Sequence, residues 1–322
     1  MEHSQGVYDD KIVVANSAAV TGAFAATGDP INAGIRAYFD MVNASGGIDG
    51  RRIEFLHVDD GYDPAKAREA FCNFFNREKV FAYVGHFGAP AVKATLSDIQ
   101  QCGMPVVYFG TGIGDLYVEH AQNFAEGANC YPIQPLYITE GRVMAASAAS
   151  EFHAGRVGII YTEDMTGRDI LRGMKIECGE LGLELSQESV STGGDDLKAA
   201  VSGIKASEPD VVIVAAAQEW FPVIVREMAV QKLYRPTVTT YVNAVVTTAF
   251  ELMDVIQDKF EVYASGWINY EGERMEHLEE AARWMGDYAM NGYAHCGWIG
   301  AYFFCEGLRR LKGQPEIGRA HV

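Results

Sequence analysis

Apolar runs of strand length alternate with amphipathic helical patterns along the first third of this chain, and this alternation strongly constrains its fold. The first run, at 11–17, is followed by a loop containing Gly and Thr at 21–29 and by a helical pattern at 31–43. The same order repeats, with strands predicted at 52–58, 80–84 and 105–109 and helices at 63–77 and 90–101. Four strands that each lead into a crossover predict a parallel, doubly wound sheet.

A second series of the same kind begins at residue 156. Strands are predicted at 156–161, 183–190 and 210–216, and helices at 168–181 and 196–207. The length of 322 residues suits two such α/β units. Pro132 and Pro135 predict a crossing segment between them, and the helical patterns at 273–290 and 298–311 are expected to return to the first unit. We therefore predict two doubly wound lobes, lobe 1 at 1–132 plus 270–315 and lobe 2 at 133–269.

Charge and cysteine pattern exclude several classes of protein. The formal net charge is −17 and no run of Lys and Arg occurs, so nucleic acid is not an expected partner. No apolar stretch reaches the roughly 18 residues of a membrane-spanning helix. The six cysteines form no Cys-x-x-Cys pair and no Cys/His cluster at zinc spacing. We expect no metal site, and disulfides are permitted but not required.

The two ends carry expectations of their own. Residues 1–10 lack the basic start and apolar middle of a signal peptide, so an export signal is expected to have been removed or to lie upstream. Residues 316–322 back-translate to GAGATCGGAAGAGCACACGTC, which contains the start of a common sequencing adapter. We expect those residues to be non-native and the natural protein to continue past Pro315.

Glycine-rich loops follow two predicted strands of the first unit. The loop at 110–114 is not Gly-x-Gly-x-x-Gly, so a permissive ligand loop at a strand's carboxyl end is favoured over a dinucleotide site. At 85–90, N–H groups of a helix start could hold a ligand carboxylate at Gly88 and Ala89, and an ordinary tight turn is the alternative. His86 is more typical of a hydrogen-bonded turn histidine than of a catalytic base.

No catalytic arrangement is evident in the sequence. It contains no Ser/His/Asp or Cys/His pattern, no Gly-x-Ser-x-Gly and no Walker loop. Asp59 and Asp60, like Glu163 and Asp164, are neighbours at strand ends, where successive side chains point in opposite directions. We interpret Asp59 and Asp60 as a structural strand terminus.

Aromatic and amide side chains follow two predicted strands of the second unit. Trp220 comes after the strand at 210–216, and Tyr241 and Asn243 come after the strand at 236–240. Because ligands of parallel sheets bind at the carboxyl ends of strands, these residues are candidates for one wall of a binding site. Ordinary core packing is the alternative.

One family shows the same order of motifs. The chain contains Asn43-Ala-Ser-Gly-Gly-Ile-Asp-Gly-Arg51, preceded by Ala33-Gly-Ile35 and followed by Asp59-Asp60 and Asp63-Pro-Ala-Lys-Ala67. Further matches are Val84-Gly-His86, Gly103-Met-Pro-Val106 and Tyr137-x-Thr-Glu-Gly141. Over 11–313 the chain therefore resembles the branched-chain amino-acid (Leu/Ile/Val) binding-protein family of type I periplasmic binding proteins.

The resemblance implies a clamshell of two lobes joined by a hinge, which closes on a small-molecule ligand and delivers it to the membrane permease of an ABC importer. It implies a monomer without cofactor or catalysis, located in the periplasm or outside the cell, or anchored as a lipoprotein. Family members hold a ligand carboxylate in loops after the third and fourth strands, and loops of the second lobe close over the ligand. The candidate ligand-binding residues are Phe24, Gly88, Ala89, Thr111, Gly112, Asp164, Thr166, Gln218, Trp220, Tyr241 and Asn243.

Three positions differ from the amino-acid binders of this family. Ala89 stands where they place a serine hydroxyl, Thr166 where they place an aromatic ring, and Tyr241 or Val242 where an acidic group pairs with the ligand ammonium. A buried ammonium without a carboxylate partner is costly, so an aromatic, uncharged or carboxylate-only ligand competes with leucine-like amino acids. A ligand-sensing receptor domain of the same fold is the alternative function. An enzyme would need a convergent catalytic set, which the sequence does not show.

Overall fold

The computed structural model describes residues 4–116, 129–191, 193–217, 219–244, 246–266 and 275–311. The chain divides into two compact units: unit 1 comprises Met1–Gln134 and Tyr270–Val322, and unit 2 comprises Pro135–Asn269. The expected non-native segment at 316–322 lies outside the described residues.

Unit 1 contains a parallel five-stranded sheet in the order β2-β1-β3-β4-β5. The strands are β1 Lys11–Ala18, β2 Arg52–Asp59, β3 Ala82–Phe87, β4 Val106–Gly110 and β5 Cys130–Tyr131. Successive strands from β1 to β4 are connected by α1 Ala25–Ala44, α2 Pro64–Asn76 and α3 Ala89–Cys102. Because the strands are parallel, their carboxyl ends lie at one edge of the sheet.

Helix α1 begins at Ala25, so the loop predicted at 21–29 is wrong in its second half. A 3₁₀ turn at Gly22–Phe24 precedes the helix. Gly28 permits the early start, because a Cβ at this position would lie 2.0 Å from the carbonyl oxygen of Ala19. The prediction followed apolar spacing, which begins only at Ile31, and apolar spacing does not show where a backbone can approach a strand end closely.

Strand β3 starts and ends later than the predicted 80–84. It ends later because it continues through Gly85 and His86. Gly85 has a φ of 80°, a left-handed conformation that a side chain would resist. His86 is fully buried, and its Nε2 lies 2.7 Å from Oγ1 of Thr95 in α3. Gly and His favour a turn locally, and the contact with the adjacent helix keeps them in the strand.

Unit 2 contains a second parallel five-stranded sheet, in the order β10-β9-β8-β6-β7. The strands are β6 Arg156–Thr162, β7 Glu184–Val190, β8 Val211–Ala215, β9 Thr237–Thr239 and β10 Val262–Ala264. The helices are α4 Tyr137–Glu151, α5 Met165–Leu181, α6 Leu197–Ala206, α7 Phe221–Val230 and α8 Val246–Ile256. Buried side chains of the sheet and of α6, α7 and α8 form one apolar cluster, which includes Val214, Val201, Ile224 and Leu252.

The chain ends in unit 1 with α9 Met275–Met285 and α10 Gly292–Arg310. Helix α10 begins earlier than the predicted residue 298, because the Asn291 side chain accepts hydrogen bonds from N–H groups of its first turn. It packs closely on α1, since a Cβ on Gly34 would lie 1.8 Å from the carbonyl oxygen of Ala294. The last helix therefore packs against the first helix of unit 1.

Candidate functional site

Five of the predicted residues lie at the carboxyl edge of the unit 1 sheet. Phe24 lies between β1 and α1, Gly88 and Ala89 stand at the start of α3, and Thr111 and Gly112 directly follow β4. Since β1, β3 and β4 are neighbours in the sheet, the segments after them lie along the same edge.

An aromatic stack covers part of this edge, and one of its two rings was not among the residues predicted from the sequence. Phe24 stacks on Tyr62, with ring centroids 3.7 Å apart and an interplanar angle of 15°. A Cβ on Gly88 would lie 2.6 Å from Cε2 of Tyr62, so glycine leaves the space that this ring occupies. The only sequence signal was a tyrosine shortly after the paired aspartates, which is not specific for a binding site.

The first turn of α3 has no side-chain cap. Gly88 is the residue before the helix, with a φ of 93°, and it has no side chain that could accept a hydrogen bond. The N-terminal amides and the positive end of the helix dipole favour an anionic group at this position. The N–H of Gly88 itself donates to the carbonyl oxygen of Gly110 at 3.4 Å, so this geometry supports the carboxylate contact at Ala89. The predicted contact at Gly88 and Ala89 stays a prediction.

Thr111 carries a buried hydroxyl without a hydrogen-bond partner in the described part of the chain. The residue is 2 % exposed, and its Oγ1 is among the buried unpaired atoms. Buried polar atoms are nearly always paired in folded proteins, so an unpaired one has capacity for a ligand group. Gly112 beside it is also buried.

Two histidines near this edge are uncharged at neutral pH. Nδ1 of His57 lies 2.9 Å from Nδ2 of Asn32. Oδ1 of Asn32 accepts a hydrogen bond from Nδ2 of Asn16 at 2.8 Å. Burial, followed by the nearby charge of Arg36, lowers the pKa of His57 to about 4. Burial lowers the pKa of His86 to about 4 as well. Neither imidazole therefore supplies a positive charge to a bound anion.

Asp59 and Asp60 hold the loop that carries Tyr62, in agreement with the structural interpretation. Asp59 accepts hydrogen bonds from Oγ1 of Thr21 at 2.5 Å and from two backbone N–H groups. Asp60 is buried and accepts a hydrogen bond from the N–H of Tyr62 at 2.9 Å. Burial raises the pKa of Asp60.

At the carboxyl edge of the unit 2 sheet, Asp164 serves as a helix cap. Its Oδ1 accepts a hydrogen bond from the N–H of Gly167 at 2.9 Å, which explains why α5 starts earlier than the predicted residue 168. Thr166 is buried in the first turn of the same helix. Glu163 forms an ion pair with Arg168 at 2.7 Å. The carboxylates of this loop thus bind groups of the protein itself.

Trp220 packs against the unit 2 core, which is the alternative that the sequence left open. It occupies the N-cap position of α7, and its partly buried ring contacts the apolar cluster of this unit. A Cβ on Gly194 would lie 2.6 Å from Cη2 of the indole. Gln218 lies outside the described residues.

Tyr241 and Asn243 belong to a buried 3₁₀ turn after β9, Tyr241–Asn243. The Tyr241 hydroxyl donates to the carbonyl oxygen of Pro135 at 3.2 Å. Nδ2 of Asn243 donates to the carbonyl oxygen of Ala216 and to Oγ1 of Thr239, both at 2.8 Å. Oδ1 of Asn243 is buried and unpaired among the described atoms.

Glu140 anchors this turn, and the sequence analysis assigned it no role. Its Oε1 accepts a hydrogen bond from the N–H of Tyr241 at 2.7 Å, and its Oε2 accepts one from the Thr240 hydroxyl at 2.8 Å. The Ser265 hydroxyl also donates to this carboxylate. Burial raises the pKa of Glu140 to about 7, although the three hydrogen bonds oppose the shift. The motif at 137–141 did not show that residues about 100 positions later cover this carboxylate.

The unit 1 edge by itself offers hydrogen bonding, ring stacking and a helix dipole to a ligand. Within the described ranges, no group of three or more His, Cys, Asp or Glu side chains could hold a metal ion. The six cysteines are free thiols, and burial raises the pKa of Cys130 to about 12. A search of the described helices finds none that is long and apolar enough to cross a membrane.

Comparison with solved structures identifies the fold. A type 1 periplasmic binding protein from Bordetella pertussis superposes with a TM-score of 0.77 at 17 % identity, covering 97 % of this chain and 88 % of that protein. A fatty acid ABC transporter substrate-binding protein from Thermomonospora curvata gives 0.77 at 19 % identity, covering 98 % and 80 %. The prediction of two doubly wound, type I periplasmic binding protein lobes is therefore confirmed.

Sequence comparison identifies the family. A Leu/Ile/Val-binding protein homolog 2 from Brucella abortus is 29 % identical over 224 residues, which are 69 % of this chain and 58 % of that relative. The match thus spans less than two thirds of the relative's length. The family model described as periplasmic binding protein matches residues 11–320. Because that match runs through both units, this chain belongs to the periplasmic binding protein family.

Proposed function

We propose that this protein is an extracytoplasmic solute-binding protein of an ABC-type importer, which captures an amino acid or a related small polar or aromatic molecule. The observation that carries the proposal is the uncapped start of α3 at Gly88 on the same sheet edge as the unpaired Thr111 hydroxyl. Together they offer N–H groups, a helix dipole and a hydroxyl to a carboxylate. Membership of the periplasmic binding protein family supports this role.

The same edge indicates what the rest of the ligand contains. The Phe24 and Tyr62 stack borders Gly88 and offers an aromatic surface to an apolar or aromatic group. Among the predicted unit 2 residues, Asp164 caps α5 and Tyr241 is uncharged. Among those positions a ligand ammonium would find only the Asp164 carboxylate, whose Oδ1 already caps α5, so we favour an aromatic or aliphatic carboxylate over leucine.

In this proposal the protein captures its ligand and hands it on for transport without changing it chemically. We propose that the protein acts in the periplasm or outside the cell, as a monomer that delivers its ligand to a membrane permease. The name of the Brucella abortus relative supports an amino acid as ligand, whereas the name of the Thermomonospora curvata protein supports a carboxylate without an ammonium. Hinge closure remains a prediction from the family resemblance.

A thermal-shift screen with matched ligands tests the proposal. Phenylalanine, 3-phenylpropionate and phenethylamine share one ring and differ in their charged groups, and leucine with 4-methylpentanoate forms an aliphatic pair. A ligand at about a hundred times its Kd adds about 2.7 kcal/mol to the free energy of unfolding, which raises the Tm of a chain of this size by about 4 °C.

The outcomes separate the ligand classes. We expect 3-phenylpropionate to raise the Tm at least as much as phenylalanine and phenethylamine to have no effect. A shift with the amine alone would contradict the carboxylate site. The absence of a shift with every carboxylate, from a sample that unfolds cooperatively, would overturn the proposed function.

A further inference from the structure

A cavity of about 310 Å³ lies within unit 2, between helix α8 and the edge of the sheet. Its lining includes Leu252 and Ile256 of α8, Val262 of the edge strand β10 and Phe221 at the start of α7. The volume is at the lower end of the range for small-molecule pockets. Every residue that lines it belongs to unit 2, so the cavity is separate from the unit 1 edge described above.

The cavity is accessible from solvent. Ala249 of α8 and Ala264 of β10 line it and are themselves exposed, which places them at its mouth. Both side chains are single methyl groups, so they narrow the entrance little. Leu252, in contrast, is only 2 % exposed and lies in the interior. The cavity is therefore open to solvent on the side of Ala249 and Ala264.

The lining is apolar except for a few uncharged polar groups. Asn243 is 4 % exposed, and its Oδ1 has no hydrogen-bond partner among the described atoms. Its Nδ2 group already donates to Ala216 and Thr239, so the free capacity of this side chain is that of an acceptor. No Asp, Glu, Lys or Arg is among the described residues that line the cavity. A charged ligand would be desolvated here without a partner.

We propose that this cavity is a second binding site, for a small, uncharged and mainly apolar molecule that donates one hydrogen bond to Oδ1 of Asn243. A phenol or an alcohol has this chemistry. The site differs in class from the carboxylate site of the proposed function, because it offers an acceptor and no positive charge. Its ligand packs behind the turn that contains Tyr241 and Asn243, and so stabilises that turn.

Two probes with the same ethylphenyl body, whose oxygen carries a hydrogen in one and a methyl group in the other, test the hydrogen bond. 4-Ethylphenol and 4-ethylanisole share the apolar body, and only the phenol has a donor. We expect isothermal titration calorimetry to show binding of 4-ethylphenol about tenfold tighter than that of 4-ethylanisole, because one buried hydrogen bond is gained. Equal affinities, or the absence of binding by either probe, would overturn the proposal.

A pair of variants places the binding in this cavity. Ala249→Phe puts a ring into the mouth, whereas Ala199→Phe adds the same ring at an exposed position of α6 in the same unit. We expect the first variant to lose 4-ethylphenol binding and the second to keep it, with both folded by circular dichroism. Retention of binding by Ala249→Phe would contradict the site.

The same variant separates this proposal from the proposed function. Ala249→Phe should still bind 3-phenylpropionate with the affinity of the unmodified chain, because the carboxylate site uses Gly88 and Thr111 of unit 1. A loss of both ligands together would show that the phenol does not occupy a separate site.

Discussion

The carboxyl edges of the two sheets differ in how they use their polar groups. At the unit 1 edge, the start of α3 is uncapped and the Thr111 hydroxyl is buried without a partner. At the unit 2 edge, Asp164 caps a helix and Glu140 accepts hydrogen bonds from Thr240, Tyr241 and Ser265. The same fold therefore leaves hydrogen-bonding capacity open at one edge and uses most of it internally at the other.

This difference predicts that the unit 1 edge contributes hydrogen bonds to ligand binding, whereas the polar groups of the unit 2 edge maintain the folded structure. An unpaired buried group gains a full hydrogen bond when a ligand arrives, whereas a paired group must first break an existing one. We therefore expect substitutions at the unit 1 edge to change affinity and substitutions around Glu140 to change stability.

The largest expected effect is that of Glu140→Ala. This change leaves the buried N–H of Tyr241 and the hydroxyls of Thr240 and Ser265 without their acceptor. We expect the free energy of unfolding in urea to fall by about 3–5 kcal/mol. Glu180→Ala is the control, because its exposed carboxylate pairs only with Arg142 and should contribute less than about 1 kcal/mol. Equal losses in both variants would contradict an internally paired unit 2 edge.

The second effect is a dependence of stability on pH through Glu140. Its pKa rises from the ordinary 4.5 to about 7 on folding, so the folded state binds a proton more tightly than the unfolded state. The stability that this proton contributes is complete below about pH 4.5 and is lost as the pH rises through about 7. The difference between these pKa values corresponds to roughly 3 kcal/mol.

Glu140→Gln isolates this dependence, because glutamine does not titrate. We expect the unfolding free energy of the natural chain, relative to Glu140→Gln, to decrease by about 3 kcal/mol between pH 4.5 and pH 7.5. Urea titrations of both proteins across this range measure the difference. A constant difference would show that Glu140 keeps its ordinary pKa.

A smaller loss of stability is expected for a substitution at Gly88, which leaves space for the Tyr62 ring at the unit 1 edge. Gly88→Ala adds strain at a φ of 93° and brings a Cβ within 2.6 Å of the Tyr62 ring. Gly61→Ala adds a side chain at a φ of 59° in open space. We expect unfolding free energies to fall by about 2 kcal/mol and about 1 kcal/mol respectively, from the general cost of left-handed backbone plus the displaced ring. Near-ultraviolet circular dichroism should change only in Gly88→Ala.

The smallest effect on stability, and the sharpest test of the comparison, comes from Thr111 of unit 1, with the buried Thr95 of the same unit as its control. Thr111→Val replaces an unpaired hydroxyl by a methyl group, so stability should stay equal or rise by about 1 kcal/mol. Thr95→Val removes the partner of His86 Nε2 and should cost about 1–2 kcal/mol. For a ligand that passes the thermal-shift screen, we expect only Thr111→Val to weaken binding, by about tenfold. A loss of stability in both variants would mean that Thr111 is paired internally.

Local patterns predicted the elements better than their ends. Apolar spacing gave the elements it predicted in their correct order, whereas the short strand β5 and the helices α4, α7 and α8 were not predicted. The doubly wound sheets follow from that order, and the type I fold was expected from the family resemblance. The errors lie where a distant residue extends an element, as at Gly28 on Ala19 and His86 on Thr95. The candidate residues of unit 1 were found because they follow strands, and their contacts with a ligand remain predictions.

The sequence by itself determined two parallel α/β units, because the alternation of strand and helix patterns is a property of neighbouring residues. Only the tertiary structure decided which polar groups are paired. Glu140 and Tyr241 are 101 positions apart, and Thr111 looks like any loop threonine until its burial is known. Pairing and burial depend on chain segments that meet only after folding, and for that reason no local pattern could predict them.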